Sequence, residues 1–239
     1  MRVRVVLSLI LVVVCVVGLG AWWMGPKLAH MAFIDGQRGE PYGFIDLARY
    51  SAQDRFVARY DAPVVELLGS EGGQFDAPYE LAHLVQGRVA DEWQRMTRWR
   101  MERASDLVQA LTSAPYRLAH DQTPELQTLK LGSYELGEPQ WRDVVVVWLA
   151  AVRSEGGYPF VGVLEELSQS EGRVVWRAPV ASVTQDTRWQ EILVIDFASE
   201  KEALGWLRSE SMRMQRDVTN ADLADLMIAI YTRDFGQAL

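Results

Sequence analysis

The sequence predicts an α+β protein, an N-terminal transmembrane helix followed by two β-α-β-β-α-β modules packed against each other within one chain. Three observations predict it. An uncharged apolar run opens the chain, the remainder matches itself at an offset near 100 residues, and strand and helix periodicities recur in the same order in each copy.

The apolar run is VVLSLILVVVCVVGLGAWWM, residues Val5 to Met24, twenty residues without a charge. A helix of that length spans about 30 Å, the thickness of a bilayer's hydrocarbon. Arg2 and Arg4 precede it, so the positive-inside rule keeps the N-terminus cytoplasmic and exports the rest. Trp22 and Trp23 fall at the far interface, and Gly25-Pro26 stops the helix. A cleaved signal peptide is the alternative, with an apolar core Val5 to Val17 and Gly18-Leu19-Gly20 as its small-residue site. Residues 1–25 are thus anchor or signal peptide, and 26–40 a tether in which Met31–Ile34 could add a short strand. The expected location is the inner membrane, single-pass, with the C-terminal modules periplasmic.

Residues 41–136 and 140–239 are the two modules. Setting 60–72 against 160–172 makes five of thirteen positions identical, among them Glu66/Glu166, Leu67/Leu167 and Gly72/Gly172. A shift of the offset from 100 to 96 aligns 93–123 with 189–219, where seven of thirty-one match, including Trp93/Trp189, Gln94/Gln190 and Ser113/Ser209. A single four-residue change between the blocks reconciles both offsets.

In the second copy, DVVVVWLAAV (143–152) is a continuous apolar strand, buried on both faces. Residues 158–168 carry Phe160, Val163, Leu164 and Leu167 at helical spacing, ended by Gly172 as a left-handed cap. Residues 173–182 alternate as a strand with an edge or bulge at Pro179, and 188–197 form the next strand. Ser199 with Glu202 makes a capping box for a helix bearing Ala203, Trp206, Leu207 and Met212, and 223–232 close as a strand. The first copy repeats this order. Its strands are 42–49, 79–86, 93–101 and 126–134, and its helices are 51–70, kinked near Pro63, and 105–118. Gly137-Glu138-Pro139 links the copies.

A β-α-β-β-α-β unit is the ferredoxin-like motif, both helices on one face of a four-stranded antiparallel sheet. The passage ILVIDFASEKEALGWLRSESM (192–212) joins an apolar strand ending in Asp-Phe to a Ser-capped helix followed by Ser-x-x-Met. Its counterpart RMERASDLVQALTSAPY (100–116) ends in Ser-x-x-Tyr, and GSEGGQ (69–74) forms the turn after the first helix. These passages resemble the dimeric α/β-barrel superfamily, above all its small bacterial members of unknown function, with antibiotic-synthesis and haem-degrading monooxygenases more distant. The resemblance implies that tandem copies replace a homodimer, giving an intramolecular pseudo-dimeric α/β barrel.

The net charge of -8 opposes binding to phosphate backbones, so no nucleic-acid partner is expected. The single cysteine, Cys15, lies in the apolar run and excludes an intramolecular disulfide, a zinc knuckle and an exported thiol nucleophile. No GxSxG, phosphate loop or HExxH is present, and the three histidines His30, His83 and His120 lack metal-ligand spacing. No catalytic residue, metal or cofactor is therefore assigned. The odd feature is the strand WQRMTRWRM, where Arg95, Arg98 and Arg100 flank Trp99 in a strand that is apolar in the second copy. With His83 these are the candidate ligand-binding residues, suited to an anionic ligand or to a guanidinium stack. Arg100 aligns with Asp196, so the two could meet across the pseudo-twofold. The expected function is a non-catalytic interaction or ligand-binding module with an envelope protein or small ligand as partner. The alternative is a small monooxygenase-like oxidoreductase with one live pocket.

Overall fold

A computed structural model describes residues 40–76, 78–88, 92–123, 125–152, 159–182 and 188–234. The apolar run and nearly all of the tether lie outside the described residues; among those described, no helix is long and apolar enough to cross a membrane.

The first module runs β1 (Tyr42–Arg49), α1 (Gln53–Phe56), α2 (Ala62–Ser70), β2 (Gln74–Phe75), β3 (Tyr79–Gln86), β4 (Arg95–Met101), α3 (Ala104–Thr112), α4 (Ala114–Asp121) and β5 (Gln127–Ser133). The second runs β6 (Val144–Val152), α5 (Val161–Leu167), β7 (Arg173–Pro179), β8 (Ala181–Ser182), β9 (Glu191–Phe197), α6 (Glu200–Arg208), α7 (Glu210–Asp222) and β10 (Leu223–Arg233). Each helix after the third strand of a module is broken in two, at Ser113 and at Ser209. Both serines cap the following helix: Ser113 Oγ accepts from Tyr116 N and Ser209 Oγ from Met212 N. The aligned Ser-x-x-Tyr and Ser-x-x-Met are thus restart signals. Ser199 Oγ likewise accepts from Glu202 N, as its capping pattern predicts.

All strands pair antiparallel in the order β7-β9-β6-β10-β3-β4-β1-β5-β8. Since β8 continues β7 past Val180, whose N–H donates to Gln190 O, the path ends where it began and the sheet closes into a barrel. The first module contributes β3-β4-β1-β5 and the second β7-β9-β6-β10, each the 2-3-1-4 order of a ferredoxin-like sheet. β10 against β3 and β8 against β5 form the two seams. The seams thus pair strand edges that a lone module would expose.

Inward side chains from both modules fill the barrel, among them Ile45, Leu47, Leu129, Val145, Val147, Val194, Met227 and four tryptophans, Trp93, Trp141, Trp176 and Trp189. Outward side chains meet the helices in two further layers, one per module. That is why β6 reads as apolar on both faces. The duplication repeats at atomic detail: Gln94 Oε1 accepts from Tyr50 N at the end of β1, and Gln190 Oε1 accepts from Val152 N at the end of β6, each at 2.7 Å.

Two expectations are corrected. Gly172 has no positive φ; the left-handed glycine after the helix is Gly72, at φ 82°. Gly172 is required by close approach instead, since a Cβ there would lie 2.7 Å from Leu167 Cδ1 and 2.8 Å from Phe197 Cε1. Asp196 and Arg100 do not meet: Asp196 binds Arg173 at 2.6 Å and the backbone N of Arg142 at 3.0 Å, within its own half.

Candidate functional site

The Pro63 kink is a π-helical turn, Val57–Asp61, joining α1 to α2. Proline has no N–H for the carbonyl four residues back and its ring crowds that carbonyl, so the backbone widens before it. The widened turn carries two consecutive buried polar residues, Tyr60 and Asp61.

Tyr60 enters the helix–sheet layer of the first module. Its hydroxyl donates to Asp46 Oδ2 at 3.1 Å and accepts from Lys130 Nζ at 2.7 Å. Lys130 also binds Asp46 Oδ2 at 2.7 Å. Tyr116, half-buried on α4, places its hydroxyl 3.4 Å from that of Tyr60 and the centroid of its ring 5.4 Å from Lys130 Nζ. Asp46 on β1 and Lys130 on β5 are cross-strand partners whose side chains alternate with barrel residues. Lys130 is 0% exposed and Asp46 5%.

Burial pushes the Tyr60 phenol well above its ordinary range, and the Asp46 carboxylate adds to that. Burial alone would lower Lys130, but attraction to Asp46 and hydrogen bonds to its partners outweigh it, and its pKa is raised. Lys130 is therefore held as an ammonium and Tyr60 as a neutral phenol, both against Asp46 Oδ2. Asp46 Oδ1 is buried without a hydrogen-bond partner. Beside this tetrad Asp61 pairs with Arg95 at 2.5 Å, and Arg95 reaches Asp234 at 3.4 Å; burial raises Asp61 although Arg95 opposes it.

The second module has the same layer without the tetrad. Strand registers put Trp148 where Asp46 stands and Ile228 where Lys130 stands. The repeat alignment puts Phe160 at Tyr60 and Met212 at Tyr116. All four are buried apolar residues, with Trp148 and Phe160 in edge-to-face contact at 5.9 Å.

The residues singled out from the sequence are spread over different surroundings. Arg95 is 1% exposed in its ion pairs, and Trp99 lies in the helix–sheet layer, stacked on Phe44 at 6.3 Å. Arg98 turns to the other side of β4, where it stacks on Trp141 at 4.3 Å and donates to the linker carbonyls of Glu138 and Pro139. Arg100 is exposed. Arg98, Trp99 and Arg100 line a crevice of about 10 Å³, at the lower limit for one water. His83 is half-exposed and pairs with Glu200 of the second module at 2.7 Å, across a seam. Among the described residues no cluster of three or more His, Cys, Asp or Glu could hold a metal.

The tetrad was missed because its members are scattered over 85 residues and match no motif. A signal was available: Tyr60 faces Phe160 in the first aligned block, and Lys130 stands between Leu129 and Leu131 in the last strand of the first copy.

No family model matches the chain, and no curated protein matches it. Solved structures do. An anthrone oxidase-like protein aligns with TM-score 0.56 at 8% identity over 84% of this chain and 95% of its own. A candidate monooxygenase from Lactobacillus acidophilus aligns at 0.46 with 9% identity over 81% and 94%, and a mutant chlorite dismutase from Candidatus Nitrospira defluvii at 0.44 with 14% identity over 82% and 92%. At such identity the likeness is one of fold. The chain has the fold of the dimeric α/β-barrel superfamily, with both halves of the barrel carried in a single polypeptide.

Proposed function

We propose that this protein is a single-site small-molecule-binding module, its site the helix–sheet layer of the first module. One observation carries the proposal: Asp46, Tyr60, Tyr116 and Lys130 replace the apolar core that the same fold uses in the second copy. An apolar solution demonstrably exists for this layer, and buried ion pairs contribute little stability over apolar substitutes. Retaining a carboxylate, an ammonium and two phenols in one copy alone therefore points to chemistry rather than to packing. The second module completes the barrel and supplies two seams.

The same asymmetry supports a second reading, an oxidoreductase with one live pocket. Asp46 is the base available to take a proton from a bound weak acid, and Lys130 would hold the resulting anion. Turnover of a bound ligand separates this from binding alone. We further place the barrel in the periplasm behind an inner-membrane anchor, on the support of the uncharged Val5–Met24 run and the arginines before it.

A fragment screen by ligand-observed NMR on the full chain, compared with the variant Asp46→Leu/Lys130→Ile, tests the site. Saturable binders to the native chain that are lost in the folded variant are expected. Binders unaffected by the variant would move the site elsewhere. Protease accessibility in spheroplasts, before and after lysis, tests the topology.

A further inference from the structure

The hydrogen-bond inventory of the tetrad goes beyond the location of the site to the class of ligand it takes, an inference that rests on the binding function proposed above. A protonated lysine has three donors and no acceptor. Two of those of Lys130 are engaged, by Asp46 Oδ2 at 2.7 Å and by the Tyr60 hydroxyl at 2.7 Å, and the ammonium lies 5.4 Å from the centroid of the Tyr116 ring. The Tyr60 proton is committed to Asp46 Oδ2 at 3.1 Å. The cluster's one ammonium is thus already paired with a carboxylate before a ligand arrives. What the cluster has left over is an acceptor, Asp46 Oδ1, on a carboxylate only 5% exposed and without a partner among the described residues. A buried carboxylate oxygen left unsatisfied costs free energy that a donor restores.

The surroundings add shape. Phe44 is the next residue on the same face of β1 and stacks parallel to Trp99, while Phe56 packs on Tyr60 with ring centroids 5.6 Å apart. Aromatic walls of this kind suit a flat, uncharged body. Tyr116, the half-buried member, stands between the buried three and solvent.

We propose that the site takes a neutral hydrogen-bond donor on a flat body, an aromatic hydroxyl or amide N–H, which docks on Asp46 Oδ1. Carboxylates and other anions, which would meet the Asp46 carboxylate itself, are excluded. This reverses the expectation drawn from Arg95, Arg98 and Arg100, because Arg95 serves ion pairs, Arg98 serves the linker and Arg100 is exposed.

Three probes of nearly equal size test it on the full chain in lipid nanodiscs, with empty nanodiscs as the blank. Phenol carries the donor, anisole has it methylated, and benzoate is the anion. Saturable phenol binding is expected, with anisole weaker by roughly tenfold or more, the loss of one hydrogen bond to a charged acceptor. Benzoate should show no saturable binding. In Asp46→Leu/Lys130→Ile the preference for phenol over anisole should vanish. Equal binding of phenol and anisole, benzoate binding best, or a preference that survives in the variant would each overturn the donor assignment while leaving a ligand site standing. Silence from all three probes removes the site as well as its specificity.

Discussion

Replacing Lys130 by isoleucine, the residue its counterpart Ile228 already is, tests whether the tetrad is one coupled unit. Lys130 is 0% exposed and its ammonium lies 2.7 Å from Asp46, itself 5% exposed. Removing the cation leaves a carboxylate buried with no compensating charge, a change worth about 3–5 kcal/mol. For a chain of this size each kcal/mol moves Tm by roughly 2–4 °C, so the single variant should melt about 6–20 °C lower. In urea, with m near ~2 kcal/mol/M, the midpoint should fall by about 1.5–2.5 M. The double variant Asp46→Leu/Lys130→Ile removes both charges together. Apolar replacement of a whole buried pair is typically neutral or stabilising by about 1–4 kcal/mol. The double variant should therefore recover to native stability or exceed it, giving a coupling energy near the full cost of the single. The assay is equilibrium urea unfolding by circular dichroism at constant m. A single-variant cost under about 1 kcal/mol, or a double variant as unstable as the sum of its parts, would refute the description of a dry, interdependent cluster.

Other expectations follow from the same geometry. Lys130 and Tyr60 both have folded pKa values raised above their unfolded values of about 10.4 and 10, so each contributes stability that is complete below pH ~10 and lost as pH rises toward the folded pKa. Melts from pH 9 to 11.5 should show Tm falling above pH ~10, with a shallower fall in Tyr60→Phe; parallel curves would deny the phenol that role. Gln94→Ala and Gln190→Ala should cost similar amounts, about 0.5–1.5 kcal/mol each, because each loses one 2.7 Å bond to a strand-end N–H. Unequal losses by urea unfolding would mean that the duplicated bonds are not equivalent. Gly172→Ala should cost about 1–3 kcal/mol through contact with Leu167 and Phe197, whereas Gly205→Ala, whose Cβ meets nothing within 4 Å, should stabilise helix α6 by up to about 1 kcal/mol. Thermal melts of the two glycine variants check the contrast.

The fold was legible because its signals are local and repeated. Continuous apolar runs such as 144–152 mark strands covered on both faces, and Ser199 announces its helix by capping chemistry, whereas Ser113 and Ser209 break helices that periodicity reads as continuous. Closure of the barrel followed from resemblance rather than periodicity, since a strand does not encode which neighbour completes its sheet. The site was much less legible. Arg95, Arg98, Trp99 and Arg100 drew attention as adjacent charges, yet strand alternation sends neighbours to opposite faces, and only a three-dimensional register tells which face is dry. Asp46 and Lys130 look like ordinary solvent-face residues until β1 and β5 pair and helices cover them. Tyr60 and Asp61 are both buried on a π turn that precedes Pro63, a backbone irregularity invisible to a 3.6-residue period.

What gives the tetrad meaning is that this chain carries its own control. A homodimer built from one module keeps two identical layers, whereas a fused pair lets one layer become plain core while the other retains its polar set. Tyr60 and Phe160 isolate the difference to a single oxygen. Phe160→Tyr introduces a hydroxyl into a layer of Trp148, Val163, Leu207 and Met212. Burying that group unpaired should cost about 1–3 kcal/mol. Tyr60→Phe deletes the hydroxyl that Lys130 and Asp46 share, leaving two charged partners short of a bond each, at a cost of similar size. The two losses arise from opposite changes of the same atom at pseudo-equivalent positions, so they should add in the double variant, one acting in each layer. A Phe160→Tyr chain as stable as the native one would reveal a polar partner in the second layer, and the asymmetry that assigns the site to the first module would no longer hold.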